Sequence, residues 1–422
     1  MIETRPQKTQ ERALLIGLEK EGVSKWDLQD SLDELRELAN SAGAEVVDTV
    51  TQKLRKPTAP YYIGRGKAES IKNSCQDRHV TSVIFDDELS PAQGRNLENL
   101  FARKVLDRTQ LILDIFAQRA RSREGRLQIE LAQLQYLLPR LTRMWHHLSR
   151  QTGGIGTRGP GETQLEVDRR RVQERIARLE RELEAVRKTR AIQRQGRKRH
   201  QWPVAAVVGY TNAGKSTLLN LLTGADVVTQ NKLFATLDPT TRSFVLPNKQ
   251  RVLLTDTVGF LRKLPHTLIE SFKATLEEVG EADLLIHIVD LSHPRVDEQM
   301  EAVDSVIKEL DAYGKQTLIV FNKIDNLPNR ELAESYVKRF PGSVAISART
   351  GEGVNKLVQT LENALSSWRL RSRLRIPSNE SALIAEIHRV GHVLELRYEG
   401  NDALIIAHVP PELAQKLERF AA

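Results

Sequence analysis

The residues whose spacing most clearly predicts chemistry are two glycines, a lysine and a serine near the middle of the chain. They belong to the stretch 209–216, which reads Gly-Tyr-Thr-Asn-Ala-Gly-Lys-Ser. An apolar run precedes this stretch and a helical pattern follows it. Strand, glycine-rich loop and helix form the context of a phosphate-binding P-loop, in which backbone N–H groups and the helix N-terminus face the phosphates. We predict that Lys215 reaches the β- and γ-phosphates and that the Ser216 hydroxyl ligates Mg²⁺.

The segment after the P-loop predicts a loop that closes over the nucleotide. Residues 234–241 lie between the P-loop helix and the next strand, which is the place of a first switch loop. A hydroxyl in such a loop can close over Mg²⁺ and the γ-phosphate. We assign this hydroxyl to Thr236, and Thr240 or Thr241 is the alternative.

The strand pattern 251–256 ends in an Asp-x-x-Gly motif that predicts the other side of the phosphate site. Asp256 would hold Mg²⁺ through a water, and the Gly259 N–H would contact the γ-phosphate. Many regulatory GTPases carry a glutamine after this glycine to orient the attacking water, whereas this chain has Phe260, which cannot do so. No arginine finger is evident in the sequence either. We therefore expect slow intrinsic hydrolysis that rises when a large partner reshapes the switches.

Asn212 gives a second hypothesis about catalysis. An asparagine at this place in the P-loop resembles GTPases that bind K⁺ beside the phosphates, where the ion supplies the charge of an arginine finger. A hydrogen bond that stabilises the loop is the alternative role for Asn212.

Two later motifs predict which base binds. Each follows a strand pattern, and they read Asn-Lys-Ile-Asp at 322–325 and Ser-Ala-Arg at 347–349. Guanine presents N1–H and an N2 amine, two donors that the Asp325 carboxylate can accept together, whereas adenine has a bare acceptor at N1. We expect Asn322 to tie its loop to the P-loop and the Lys323 stem to cover the base. The Ala348 N–H would face guanine O6, and the order of all these motifs predicts GTP specificity.

These motifs together define the predicted site. The predicted catalytic residues are Asn212, Lys215, Thr236 and Gly259, and the predicted Mg²⁺ ligands are Ser216, Thr236 and Asp256. The predicted nucleotide-binding residues are Gly209, Tyr210, Thr211, Asn212, Ala213, Gly214, Lys215, Ser216, Thr217, Phe234, Ala235, Thr236, Leu237, Asp238, Asp256, Thr257, Val258, Gly259, Asn322, Lys323, Ile324, Asp325, Ser347, Ala348 and Arg349.

The elements that surround this site predict a chain of four domains. Residues 1–120 alternate strand and helix patterns, which favours a small parallel α/β domain. Within it, a Gly-Arg-Gly-Lys stretch at 64–67 could bind a phosphate, but a plain strand-to-helix turn is the preferred interpretation. Residues 121–200 carry the heptad spacing of two helices and predict an antiparallel hairpin. Residues 201–371 form the α/β P-loop GTPase domain.

The hairpin loop predicts an RNA-binding arm. Residues 151–163 hold five glycines between basic flanks. A flexible glycine tip on a long basic arm suits insertion into folded RNA, and a solvated basic coiled coil is the alternative. The predicted RNA-binding residues are Arg150, Gly153, Gly154, Gly156, Arg158, Gly159, Gly161, Arg169 and Arg170.

The C-terminal residues 372–422 predict a small α+β domain. We interpret 368–377 as a basic linker that leads into it. A helix, two strands joined by a turn, and a final helix follow the linker. Packing is the default role for this domain, and contact with a partner protein is the alternative.

Charge and cysteine usage limit the class of protein. The formal net charge of +8 favours a polyanionic partner such as nucleic acid over a basic protein without one. The only cysteine, Cys75, excludes an internal disulfide and fits a reducing cytosol. No apolar run approaches the roughly 20 residues of a membrane span. We expect a cytoplasmic protein without a transmembrane segment or signal peptide, monomeric in isolation.

On these motifs the chain resembles the HflX family, in the Obg–HflX group of translational P-loop GTPases. The resemblance covers essentially the whole chain, and its most specific part is the glycine-rich signature at 156–166. It implies a GTPase that binds the large (50S) ribosomal subunit and splits stalled or idle 70S ribosomes, with its N-terminal region reaching toward the peptidyl-transferase centre. An assembly factor that binds a precursor large subunit is an alternative, and a signalling GTPase with an acidic protein partner is another.

Overall fold

The computed structural model divides into two compact units. It describes residues 11–22, 24–141, 164–199, 202–224, 234, 240–263, 278–310, 312–366 and 370–422. One unit comprises Met1–Ala185 with Lys263–Phe272, and the other comprises Val186–Arg262 with Lys273–Ala422. None of the described helices is both long enough and apolar enough to cross a membrane.

The first unit contains a four-stranded parallel sheet. Its strands have the order β2-β1-β3-β4 and are β1 (Glu11–Glu19), β2 (Ala44–Lys53), β3 (Ser82–Phe85) and β4 (Lys104–Asp107). The helices that alternate with them are α1 (Lys25–Ala42), α2 (Arg65–Asp77), α3 (Pro91–Phe101) and α4 (Arg108–Arg119). Residues 13–18 of β1 are continuously buried, as a parallel strand covered on both faces requires. The predicted parallel α/β domain is confirmed, and β4 and α4 are additions to it.

Two helices of this sheet begin with serine caps that the sequence encodes locally. The Ser24 side chain accepts a hydrogen bond from the Asp27 N–H, and the Asp27 carboxylate accepts one from the Ser24 N–H. Ser90 and Gln93 form the same reciprocal pair. These caps satisfy backbone donors that the first helical turn leaves without partners.

The Gly-Arg-Gly-Lys stretch of this unit forms the turn that leads into α2. The Gly64 N–H donates to Gln52 Oε1 at 2.9 Å. A Cβ at Gly64 would lie 2.9 Å from Gln52 Nε2, so a larger residue here would push the Gln52 side chain aside. This contact supports the interpretation of the stretch as a strand-to-helix turn.

A buried ion-pair network ties α1 to the carboxyl end of the sheet. Arg108 follows β4 directly, and its side chain is only 2% exposed. It donates to Asp86, which follows β3, at 2.7 Å and pairs also with Glu34 of α1. Burial alone would raise the pKa of Asp86, but the positive charges of Arg108 and Lys263 hold that pKa below its ordinary value. One guanidinium therefore bridges two carboxylates inside the domain, and Lys263 supplies a second positive charge to Asp86.

Two long helices follow, α5 (Arg123–Leu141) and α6 (Gln164–Arg199). Arg175 of α6 donates to both carboxylate oxygens of Glu130 on α5, at 2.8 and 2.9 Å. Leu127 and Leu131 of α5 and Leu179 of α6 are buried, as the apolar stripes of a helical hairpin predict. The glycine-rich loop 151–163 lies outside the described residues.

The second unit contains a six-stranded sheet with the order β10-β9-β8-β5-β7-β6, parallel except for β6. Its strands are β5 (Val204–Gly209), β6 (Thr240–Val245), β7 (Arg251–Asp256), β8 (Leu284–Asp290), β9 (Thr317–Asn322) and β10 (Val344–Ala345). Its helices include α7 (Lys215–Thr223), α8 (Val296–Glu309), α9 (Glu331–Arg339) and α10 (Val354–Ala364). The predicted motifs follow the carboxyl ends of β5, β7, β9 and β10, where ligands of parallel α/β sheets bind.

The same unit ends in a three-stranded antiparallel sheet with the order β11-β13-β12. The strands are β11 (Leu370–Pro377), β12 (His392–Glu399) and β13 (Asp402–Val409), and the helices are α11 (Ser381–Val390) and α12 (Pro411–Leu417). The predicted α+β domain is present, but the predicted basic linker is wrong for 370–377, because these residues form β11. Leu374 and Ile376 are buried while Arg373 and Arg375, which alternate with them, are exposed, and this is the two-residue period of a strand.

Candidate nucleotide-binding site

The P-loop connects the end of β5 to the start of α7, as predicted. Gly209 has a φ of 150° and Gly214 a φ of 99°, which are values that glycine adopts without strain. A Cβ at Gly209 would lie 2.3 Å from the carbonyl oxygen of Ile288, and one at Gly214 would lie 2.2 Å from Asn322 Nδ2. The loop therefore requires glycine at both ends, because neighbouring strands approach its backbone so closely.

The Lys215 side chain lies on the inner side of this loop. Its ammonium donates to the carbonyl oxygens of Gly209, at 3.1 Å, and Tyr210, at 2.7 Å. Burial lowers the pKa of Lys215 to about 8, and the nearby Asp256 carboxylate opposes that shift only in part. The ammonium is thus fixed beside the backbone that is predicted to bind phosphates.

The two described residues that are predicted to ligate Mg²⁺ are adjacent. Ser216 Oγ donates to Asp256 Oδ2 at 2.7 Å, and Asp256 is fully buried. Hydroxyl and carboxylate oxygens are the ligands that Mg²⁺ prefers, so their chemistry fits the ion. Within the described ranges, no three His, Cys, Asp or Glu side chains cluster around a common point.

The hydroxyl of the first switch loop stays a prediction, because Thr236 lies outside the described residues. The alternatives Thr240 and Thr241 are both in β6. Thr241 Oγ1 lies 3.0 Å from Thr255 Oγ1 across the strand pair, and Thr240 lies opposite Asp256 in the register.

The residue after the Asp-x-x-Gly motif pairs with the P-loop, a contact that the sequence does not reveal. The Phe260 N–H donates to the Gly209 carbonyl at 3.1 Å, and the Thr211 N–H donates to the Phe260 carbonyl at 2.8 Å. The Tyr210 hydroxyl accepts from the Arg262 N–H at 2.8 Å. Phe260 itself is 2% exposed. The start of the second switch region is therefore joined to the P-loop by three backbone donors.

Gly259 lies next to the predicted phosphate site. A Cβ on this residue would lie 2.8 Å from the Thr211 Cα and 2.9 Å from the Lys215 ammonium. Only glycine leaves room here for the P-loop lysine, which agrees with the predicted position of the Gly259 N–H beside the γ-phosphate.

Asn322 connects the base-binding motifs to the P-loop, as predicted. Its Nδ2 donates to the Ala213 carbonyl at 2.8 Å, and its Oδ1 accepts from the Ala348 N–H at 2.9 Å. The predicted contact between the Ala348 N–H and guanine O6 would therefore share a donor that Asn322 already uses. A side chain that is 2% exposed thus holds three loops together.

The carboxylate that is predicted to select guanine is ionised and oriented. A hydrogen bond from the Ser347 hydroxyl lowers the pKa of Asp325, and the neighbouring Arg349 lowers it further. Arg349 also forms an ion pair with Asp325. Lys323 pairs with Asp290 at 2.6 Å, at the end of β8. Asp325 therefore lies at the carboxyl end of β9 as an anion.

The remaining predicted residues divide into described and undescribed ones. The Thr257 hydroxyl donates to the Val207 carbonyl at 2.7 Å, and Asn212 is exposed with a φ of 61°. Arg169 and Arg170 are exposed on α6. The other described residues are Thr217 in α7, Phe234, Val258 and Ile324. The residues outside the described ranges are Arg150, Gly153, Gly154, Gly156, Arg158, Gly159, Gly161, Ala235, Thr236, Leu237 and Asp238.

Comparison with known proteins gives matches along nearly the whole chain. Residues 29–117 match the family model described as GTP-binding GTPase N-terminal, 119–197 match GTP-binding GTPase Middle Region, and 204–323 match 50S ribosome-binding GTPase. The GTPase HflX of Caldanaerobacter subterraneus subsp. tengcongensis is 46% identical over 98% of this chain and 94% of its own length. The GTPase HflX of Lacrimispora saccharolytica is 47% identical over 97% of this chain and 96% of its own length.

A solved structure is also similar to this chain. It is that of a GTP-binding protein from the hyperthermophilic archaeon Sulfolobus solfataricus in complex with GDP. The identity is 26% and the TM-score 0.45, over 85% of this chain and 99% of that one.

The P-loop, the Asp-x-x-Gly motif and the Asn-Lys-x-Asp motif, each at the end of a strand of one sheet, define a P-loop GTPase. The similarity over nearly the full length then fixes the branch of that class. The chain belongs to the GTPase HflX family.

Proposed function

We propose that this GTPase binds the large (50S) ribosomal subunit and dissociates stalled or idle 70S ribosomes, with its basic glycine-rich arm inserted into rRNA. The observation that best supports GTP binding is the position of Asn322, which bonds to both Ala213 and Ala348. It sets the distance between the phosphate-binding loop and Asp325. The match of 204–323 to a family of 50S ribosome-binding GTPases supports the ribosomal partner.

The residues of the site suggest how GTP would be held. The Lys215 ammonium, which is already bonded to two P-loop carbonyls, would extend its remaining donor capacity to the β- and γ-phosphates. Ser216 and Asp256 would hold Mg²⁺, which neutralises developing charge on those phosphates when bound. Asp325 would accept both donors of guanine, because its pKa is held low and it stays ionised.

Hydrolysis by the isolated protein would be slow. Phe260 occupies the place of a water-orienting glutamine, and its side chain is buried instead of facing the phosphates. An added arginine finger can contribute about 10³–10⁵ in rate, so there is room for stimulation by a partner. Single-turnover rates with and without ribosomal subunits test this, and fast hydrolysis by the protein alone contradicts it.

Asn212 would contribute to a K⁺ site. Its side chain is exposed and makes no hydrogen bond to any residue that the structure describes, so the loop-stabilising alternative gains no support. Replacement of K⁺ by Na⁺ is expected to lower the hydrolysis rate. An unchanged rate in Na⁺ excludes a catalytic K⁺ at this position.

Sucrose-gradient analysis of 70S ribosomes with GTP tests the ribosomal proposal. We expect the protein to convert 70S ribosomes into subunits and to migrate with the large subunit, and we expect Lys215→Ala to abolish the conversion. Migration with large subunits without any dissociation of 70S particles would favour an assembly factor. Absence of salt-sensitive comigration with either particle would favour a signalling GTPase.

A further inference from the structure

The three-stranded sheet at the C-terminus has one covered and one open face. Within β13, every second residue from Ala403 to Val409 is at most 1% exposed, and the residues between them are partly exposed. The buried set packs with Ile387 of α11 and with Leu413 and Leu417 of α12. Both described helices of this domain therefore lie on the same face, which leaves the opposite face accessible.

The register of β11 places three arginines on the open face. Arg371, Arg373 and Arg375 alternate with residues that face the core, and all three are exposed. Their neighbours on the central strand, in the same order, are His408, Ile406 and Leu404. A row of arginines therefore runs beside a partly exposed apolar strip.

The third strand adds polar side chains to the same face. His392 lies opposite His408, and Arg397 lies opposite Leu404. Glu395 lies opposite Ile406 between them. The open face thus presents four arginines and two histidines around an apolar centre.

The charges of this face are balanced at one end of the sheet. Arg375 pairs with Asp402 at 2.7 Å, and Arg397 pairs with Glu395 at 2.6 Å. These pairs neutralise the two arginines that flank Leu404. They leave little net charge at the end of the face near the β12–β13 turn.

The other end of the face is cationic. Arg371 and Arg373 form no ion pair with any residue in the part of the chain that the structure describes. His392 and His408 form one row with Arg371, so the unpaired guanidinium groups and the two imidazoles lie together. Two exposed guanidinium groups without a carboxylate partner provide ten N–H donors for an external anion.

We propose that the open face of the C-terminal sheet binds single-stranded or looped RNA, with Arg371 and Arg373 on its phosphates. Two residues of one strand span about 6.7 Å, so the two guanidinium groups can contact neighbouring phosphates of one RNA strand. Guanidinium planes and histidine rings also stack on unpaired bases, and the Leu404–Ile406 strip can lie beneath the sugars. Stacking on unpaired bases favours RNA over an acidic protein, whose carboxylates would use only the hydrogen bonds and the charge of the guanidinium groups.

This surface is built from residues other than those of the glycine-rich arm. The inference deepens the proposed function and rests on it only for the statement that the bound RNA is ribosomal. Binding of RNA to the sheet requires neither GTP hydrolysis nor ribosome dissociation. The RNA assay below and the gradient assay can therefore fail independently of each other.

The test titrates the full-length protein with a fluorescent oligouridine of about 15 nucleotides, which is long enough for one binding surface. We compare Arg371→Gln/Arg373→Gln with the matched variant Arg389→Gln/Lys416→Gln. The matched variant removes the same two charges from the exposed sides of α11 and α12. Both variants retain the glycine-rich arm, so RNA that binds to the arm contributes equally to the affinity measured for each variant.

We expect the Arg371→Gln/Arg373→Gln variant to bind about tenfold more weakly and the matched variant to stay within about twofold. Loss of two phosphate contacts should also reduce the slope of log K against log salt by about 1.4. Thermal unfolding should not change in either variant, because all four substituted side chains are exposed and none forms an ion pair with a residue that the structure describes. Photocrosslinking of wild-type protein to oligouridine that carries 4-thiouridine should label peptides from 370–377 or 402–409.

Equal affinities for the two variants, together with no crosslink in β11 or β13, would overturn the proposal. If RNA binding is unchanged but comigration with large subunits drops in the Arg371→Gln/Arg373→Gln variant alone, the occupant is an acidic protein and not RNA. A Lys substitution at both positions should restore part of the salt-dependent affinity, because lysine keeps the charge but not the planar fork.

Discussion

The close approach of Asn322 to the P-loop predicts that Gly214→Ala weakens nucleotide binding, by an amount that can be estimated from the structure. A Cβ at Gly214 would lie 2.2 Å from Asn322 Nδ2, and the φ of 99° at this position strains any L-residue. Gly214→Ala must therefore displace the side chain that ties the base-binding loop to the P-loop. We expect nucleotide affinity to fall for two separable reasons, namely backbone strain and the loss of Asn322.

The two contributions can be estimated separately. Alanine in the left-handed region costs about 1–2 kcal/mol. Displacement of Asn322 leaves the Ala213 carbonyl and the Ala348 N–H without their present partner, and an unsatisfied buried polar group costs about 1–3 kcal/mol. Because the free loop can relax out of this geometry whereas the GDP-bound loop has to hold it, a total of about 3 kcal/mol or more corresponds to a loss of GDP affinity of about 100-fold or more.

The assay is a fluorescence titration of GDP on four proteins that form a cycle: wild type, Gly214→Ala, Asn322→Ala and the double variant. Once Asn322 is absent, Gly214→Ala should cost only the backbone strain, about fivefold in affinity. The coupling between the two sites should therefore be about 2 kcal/mol. Gly224→Ala is the matched control, since this residue ends α7 with a φ of 64° and has no atom within 4 Å of its Cβ position.

Additive effects of Gly214→Ala and Asn322→Ala would refute the reasoning, because they would show that the two residues do not compete for one space. The same conclusion follows if Gly224→Ala weakens GDP as much as Gly214→Ala does. A change in thermal stability for Gly224→Ala without a change in affinity would agree with strain alone at that position.

Three further predictions concern charge. Asp325→Asn should weaken GDP by about 100-fold, since an amide offers a donor to the donors of guanine, and competition with xanthosine diphosphate should show a gain for that base. Because burial lowers the pKa of Lys215 to about 8, affinity for GDP without Mg²⁺ should fall as the pH rises through that value, and a flat profile from pH 7 to about 8.5 contradicts this. Arg108→Met should destabilise the first unit by about 3–5 kcal/mol at neutral pH in denaturant unfolding followed by hydrogen exchange. In wild type, the contribution of Asp86 is present above its unfolded pKa, about 3.9, and is lost as the pH falls through its lower folded pKa. In Arg108→Met, Asp86 keeps its ion pair with Lys263 but loses the guanidinium, so its protonation should instead shrink the deficit in unfolding free energy as the pH falls.

The positions of the nucleotide motifs could be predicted from the sequence because each one is encoded locally. An apolar run that ends at Gly209 or Asn322 marks a buried parallel strand, and the residues that follow it necessarily reach one edge of the sheet. The tie between Asn322 and the P-loop followed from this placement and is confirmed. The hydrogen bond from the Ala348 N–H to Asn322 could not be predicted. Spacing along the chain does not show which side-chain acceptor competes for a backbone donor.

The error at β11 has a local cause. Four arginines within 368–377 are typical of a solvated linker, yet leucine, serine and isoleucine alternate with arginine from Leu370 to Ile376. That period of two predicts a half-buried strand, and burial of Leu374 and Ile376 confirms it. In this segment the two-residue period of apolar residues is therefore a better predictor of structure than the charge content. The cationic face of the C-terminal sheet is a direct consequence of the same alternation.

The pairing of Phe260 with the P-loop could not be predicted, because it joins backbone groups about fifty residues apart. The Phe260 N–H donates to Gly209 and its carbonyl accepts from Thr211, while its side chain is 2% exposed, a position that suits an apolar ring better than a glutamine amide. Gly259, one residue earlier, has no room for a Cβ between Thr211 and Lys215. Any shift of Gly259 toward a γ-phosphate must therefore move Phe260 and the P-loop backbone together. Because the side chain of residue 260 is apolar and buried, a group that orients the attacking water has to come from elsewhere, which is the physical reason to expect that a partner completes the site.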